Sequence, residues 1–221
     1  MIERSYRPLL YALAFLGLAL DQTSKYVVFA WLAERPRNTF PLFQTQDQQG
    51  FVLVAQFERN EDGSWKRDDA GRKVPHVNHG ALFGFLRDYE SYANTGFAVV
   101  SLLAAVAIVL WATQRATARD RVLCTSLGLI LAGTLGNLYD RLMFGGVRDF
   151  LHWNYLFDWP VFNLADCCLV IGAGLMLVQA FYAPQAPTAQ ERKPVEVALG
   201  QGGQPASTAV TPAPAREVRP A

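Results

Sequence analysis

Three cysteines and three histidines among 221 residues leave few routes to several common chemistries. Cys124, Cys167 and Cys168 lie inside apolar runs and their number is odd, so a disulfide framework is not expected and the thiols read as small buried hydrophobes. His76 and His79 share the stretch HVNH, but no HExxH occurs and His152 is remote in sequence, so neither a catalytic metal nor another cofactor is expected. Charge of one sign is also missing. The net charge is +1, with no basic stripe interleaved with aromatics, which argues against a nucleic-acid partner. Ser24 and Lys25 are adjacent on a helical stretch and point apart, which disfavours a Ser–Lys nucleophile. A lipid phosphatase would need clustered Arg and His, and the loop after the third apolar run offers Arg148 and His152 alone.

What the chain has in abundance is apolar residues, 51% of the total. They gather in four runs, near 8–32, 96–113, 122–143 and 161–182. Each approaches the roughly 20 residues that carry a helix across hydrocarbon. The expectation is an all-α membrane protein with four transmembrane helices, because a helix satisfies its own backbone in lipid. The first run has a basic start but no small-x-small cleavage site and resumes as YVVFAWL, so it is expected to remain as an anchor. Arg4, Arg7, Arg115, Arg119 and Arg121 place both termini and the second connection on the cytoplasmic side. Residues 1–183 form the expected membrane domain. Within it, residues 34–94 form an outer, periplasmic insertion, where GFVLVAQFERNEDGSWKRD reads as strand, turn and returning strand of a β-hairpin cradle. Residues 184–221 are rich in Pro, Ala, Gln and Gly and are expected to be a disordered cytoplasmic tail.

Ionisable residues inside apolar runs are functional candidates by default. Asp21 and Lys25 are four apart and share a helix face, either as a structural ion pair or as ligand contacts. Counting from Val122, Asp140 lies about 27 Å along its helix, at the outer boundary. Asp166 begins the antiparallel fourth run and reaches similar depth. The two helices rhyme: NLYD supplies Asn137 and Asp140, NLAD supplies Asn163 and Asp166. Between them, alternation in GVRDFLHW puts Asp149 with Val147, Leu151 and Trp153 on one side of a short strand. Each acid has a plainer reading. Asp166 complements a helix dipole, Asp140 pairs with Arg141, and Asp149 is a turn residue. Three acids meeting at one face of the membrane, flanked by Asn donors, favour a site over these separate readings. Two carboxylates sharing one proton supply an acid and a base for hydrolysis without metal or covalent intermediate. A small proton-coupled transporter using the same carboxylates is the alternative, although transporter sites lie nearer the midplane.

Five blocks in order, DQTSK, NHGALFGFL, GNLYDR, GVRDF and FNLAD, resemble lipoprotein signal peptidase, the signal peptidase II family of aspartic endopeptidases. The resemblance covers roughly residues 8–182. It implies an enzyme of the bacterial inner membrane with its active site at the periplasmic interface. Its substrate is a prolipoprotein whose Cys carries diacylglycerol, and it cuts before that Cys. The resemblance also implies Asp149 and Asp166 as the catalytic pair. Asp21, Lys25, Asn78, Gly80, Ala81, Asn137, Asp140, Arg141, Asn163 and Ala165 then bind substrate or brace the site, with Asn78 and Arg141 at the substrate backbone. Membrane lipid and globomycin-type inhibitors are further expected partners, and a monomer suffices. Five features depart from the family pattern: Arg148 where a hydrophobic residue is usual, Leu82 where Ala is common, Ala132 where Gly is common, an insertion near residues 43–75, and the additional tail. Alternation turns Arg148 away from Asp149, so the chain is expected to tolerate it.

Overall fold

The structure is a computed structural model and describes residues 5–80 and 90–182. Four long helices dominate these residues: α1 (Arg7–Ala33), α2 (Glu90–Ala112), α4 (Arg121–Phe144) and α5 (Leu164–Tyr182). They match the four apolar runs closely. Three of them, α2, α4 and α5, are long and apolar enough to cross a membrane by length and composition. At 27 residues α1 is the longest, but Asp21 and Lys25 in its middle lower its hydropathy. A short helix, α3 (Arg115–Arg119), occupies the basic connection expected to be a loop.

Helix α4 is the hub, packed against α1, α2 and α5. Its small residues explain how. A Cβ at Gly133 would lie 2.2 Å from the Ala165 carbonyl oxygen, and one at Gly136 would lie 2.6 Å from Asp21 Oδ2. Gly133 lets α5 approach α4 backbone to backbone, as small residues do in membrane helix pairs, and Gly136 leaves room for the Asp21 carboxylate and the Ala165 side chain. One core lies among Leu10, Ala14, Ala105, Ile108, Cys124, Leu127 and Leu131. Asp120 caps α4 by accepting from the Leu123 amide at 2.9 Å, and Arg7 Nε donates to the Ala112 carbonyl at 2.8 Å, closing the end of α2. At its other end α4 stops at Gly145, whose φ of 73° supplies the left-handed cap that releases the chain toward the site.

The sheet differs from the expected hairpin. β1 (Thr39–Gln44), β2 (Gly50–Val54) and β3 (Leu151–Trp153) form an antiparallel sheet in the order β1-β2-β3. β2 therefore pairs with the segment before it and with the return segment, not with the residues after EDG. Those residues still fold back, through bridges Arg59↔Trp65 and Phe57↔Pro75, but as isolated bridges. The return strand is also shorter than its alternating pattern: Val147 instead bridges Asn78, with reciprocal backbone bonds of 2.7 and 2.9 Å. A second apolar cluster, Phe29, Leu32, Ala55 and Phe150, seats this sheet on the end of α1. Ala81, Leu82 and the tail 184–221 lie outside the described residues.

Candidate active site

The first turn of α5 fixes one carboxylate. Asn163 precedes the helix, and its side-chain oxygen accepts from the Asp166 amide at 3.1 Å; Asp166 returns the bond by accepting from the Asn163 amide at 3.0 Å. This is a capping box written with Asn and Asp, and it explains their spacing of three. The plain reading of Asp166 as a helix-start residue is thus correct as far as it goes. Its other oxygen, Oδ1, accepts from Asn137 Nδ2 of α4 at 2.8 Å.

Asp149 arrives from the return segment. Asn163 Nδ2 donates to its Oδ1 at 2.7 Å and Asn78 Nδ2 to its Oδ2 at 3.1 Å. Asn163 therefore touches both carboxylates, one through its side chain and one through its backbone amide. Asn78 is held in turn by the bridge to Val147 and accepts from the Gly80 amide at 2.8 Å. Gly80 sits at φ 79°, with the Phe97 ring 2.6 Å from where a Cβ would be. Burial pushes the Asp149 carboxyl up to about 6, and the charge of Asp166 adds to the rise. The Asn78 and Asn163 donors oppose it. A cavity of about 270 Å³ opens beside Asp149, lined also by Gln56, His76, Asn78, His79 and Val147. Among the described residues, no group of three or more His, Cys, Asp or Glu is placed to hold a metal ion.

Under this pair lies a fully buried ionic network. Lys25 Nζ is 2.8 Å from Asp21 and 3.3 Å from Asp140. Asp21 Oδ1 accepts from the Ala165 amide at 2.9 Å, so α1 caps one of the free amides of α5. Asp140 pairs with Arg148 at 2.8 Å and also accepts from its backbone amide at 2.9 Å. The expected Asp140–Arg141 pair is not formed; Asp140 faces Lys25 and Arg148 instead. Lys25 further donates to Asn137 at 3.4 Å, which links the network to Asp166. Arg141 lies within electrostatic reach of Asp149 and Asp166, over the Phe97 ring at 5.3 Å, and its Nε is buried without a hydrogen-bond partner.

Gln22 was not singled out from sequence, and Arg148 was noted there only as a departure. Gln22 donates to Asp21 at 2.9 Å and to Asp140 at 3.2 Å, and accepts from Arg148 at 3.0 Å. Its only sequence signal is its place in DQTSK. Arg148 does turn away from Asp149, but it is 2% exposed and bound to Asp140. It is an integral part of the fold, not a tolerated departure.

Apolar helices of spanning length, a buried ionic cluster and an acidic pair beside a cavity define a membrane-enzyme fold. Two solved structures, each described as a bacterial membrane enzyme, share it: TM-scores are 0.62 and 0.61, identities 23% and 22%, covering 83% and 89% of this chain and 99% of each neighbour. The chain belongs to the signal peptidase (SPase) II family, whose profile matches residues 13–182. Lipoprotein signal peptidase of Pseudoalteromonas translucida (strain TAC 125) is 41% identical over 105 residues, 47% of this chain and 63% of that protein. That of Yersinia pestis (strain Pestoides F) is 40% identical over 109 residues, 48% of this chain and 63% of that protein. The matched stretch thus spans somewhat under two thirds of these relatives. The family match leaves the transporter reading without support.

Proposed function

We propose that this protein is an aspartic endopeptidase that removes the signal peptide from diacylglyceryl-modified prolipoproteins, cutting before the lipidated Cys. The observation that carries this reading is Asn163 hydrogen-bonded to both Asp149 and Asp166 beside an open cavity. Asp149, whose partly buried carboxyl holds its proton more tightly than a free carboxyl does, donates to the scissile carbonyl as negative charge develops there. Asp166, held by a helix start and the Asn137 amide, takes a proton from the attacking water. Arg141, with an unused donor, meets the substrate backbone. Asp21, Lys25 and Asp140 brace the site through Asn137 and the start of α5.

All four long helices span the inner membrane in this reading, α1 included, because its charged residues face inward and are paired. The termini are cytoplasmic, and the sheet lies over the periplasmic end as a cradle. Membrane lipid surrounds a monomer, and a globomycin-type lipopeptide blocks the same cavity. The test is expression in a bacterium lacking its own signal peptidase II. Conversion of lipidated precursor to the shorter form on a gel supports the reading. Precursor that accumulates although the protein is inserted and abundant contradicts it.

A further inference from the structure

A second cavity, about 850 Å³, lies on the opposite side of the return segment, which presents Arg148 to this cavity and Asp149 to the other. We infer that this cavity is a binding site for one anionic phospholipid. It does not rest on the peptidase reading.

The cavity is graded along α1. Its lower wall is Tyr26, Phe29, Ala30 and Phe144, which offer apolar surface to an acyl chain. Tyr26 is 48% exposed, so this wall opens to the surroundings of the helix bundle. The upper wall begins where α1 ends, about 10 Å higher at 1.5 Å per residue from Tyr26 to Ala33. There the insertion contributes Arg67, Arg72 and Lys73, and Arg35 follows the helix. Arg72 is neutralised by Asp68 at 2.8 Å. Arg35, Arg67 and Lys73 form no ion pair among the described residues, and Glu34 is the one other acid in the wall. Arg35 Nε is buried without a hydrogen-bond partner.

The site is preformed. Lys73 Nζ donates to the Ala33 carbonyl at 2.6 Å, and the Phe57 ring meets Phe29 edge to face at 5.8 Å. Both contacts fasten the insertion to α1. An anionic headgroup above an acyl chain matches this gradient. A zwitterionic headgroup would set its own cation against the same arginines, and a soluble phosphate would leave the apolar wall uncovered.

The experiment is native mass spectrometry of the full-length protein in detergent, titrated with phosphatidylglycerol or phosphatidylcholine. One phosphatidylglycerol is expected to be retained at least tenfold more tightly than phosphatidylcholine. The Arg35→Gln/Arg67→Gln variant should lose roughly tenfold or more, since two of the cations that attract an anionic headgroup are removed. Glu34→Gln should gain several-fold, a result that misfolding cannot produce. Arg115→Gln/Arg121→Gln, at the opposite end of the helices, should change nothing. Equal retention of the two lipids overturns the inference, as does an unchanged Arg35→Gln/Arg67→Gln variant or a Glu34→Gln variant that binds no better. Glycerol phosphate competing at equal concentration would also overturn it, by showing a free-phosphate site.

Discussion

Replacing Arg148 with Leu tests how the return segment is held. The guanidinium donates to Asp140 through Nε at 3.2 Å and Nη2 at 2.8 Å, and to Gln22 at 3.0 Å. It also lies over the Phe144 ring at 4.0 Å and the Tyr26 ring at 4.4 Å. Breaking a buried pair by removing one partner costs about 3–5 kcal/mol, because the other charge is left uncompensated. Lys25 stays 3.3 Å from Asp140, and the Arg148 backbone amide still donates to it. Both put the cost at the low end, about 3 kcal/mol. For a chain of this size that is a fall of roughly 6–12 °C in melting temperature, read by thermal unfolding in detergent. Asp140→Asn/Arg148→Leu should be less destabilised than the sum of its single changes by at least about 1 kcal/mol, because the two groups share one interaction. A melting temperature within about 2 °C of the parent for Arg148→Leu, or strict additivity in the double variant, would refute the reasoning.

Asp149 makes stability depend on pH. Its carboxyl is raised from 3.8 to about 6, so the folded chain holds this proton more tightly than the unfolded chain. Stability is therefore lost as pH rises from about 4 through 6, by about 3 kcal/mol at 1.36 kcal/mol per unit. Chemical denaturation at pH 4 and pH 7 should show this loss in the parent and not in Asp149→Asn. Asn78 donates to the ionised form, so Asn78→Ala should move the alkaline limb of the kcat/KM profile to higher pH; a limb that stays or moves lower counts against that contact. Gly133→Ala places a methyl group against the Ala165 carbonyl and should cost roughly 1–3 kcal/mol by separating α5 from α4, seen as a lower melting temperature together with slower precursor cleavage.

The helices were legible because lipid leaves them one pattern, a long apolar run. The Asn–Asp rhyme was legible for a local reason: a capping box needs its partners three residues apart. Partners far apart in sequence were not. β2 has an adequate partner on either side, and its choice of β1 and β3 follows from Phe150 and Ala55 packing with Phe29 and Leu32, contacts that no short window contains. Arg148 looked like an outward-facing departure because its acceptor, Asp140, stands on the preceding helix and had an adjacent Arg141 to pair with. Gln22 carries no charge, so nothing drew notice to it, yet it hydrogen-bonds three buried ionic groups. Asn78 was placed at the site by resemblance alone. Its reach to Asp149 depends on the long connection from α1 to α2 returning to bridge Val147.

The central claim is that Asp149 and Asp166 perform the cleavage together. Its most direct test is the rate at which purified Asp149→Asn and Asp166→Asn proteins cut a diacylglyceryl-modified precursor in lipid vesicles, with insertion and folding verified in the same samples. The account predicts that each variant is folded and without measurable turnover. Near-parental cleavage by either one would contradict it.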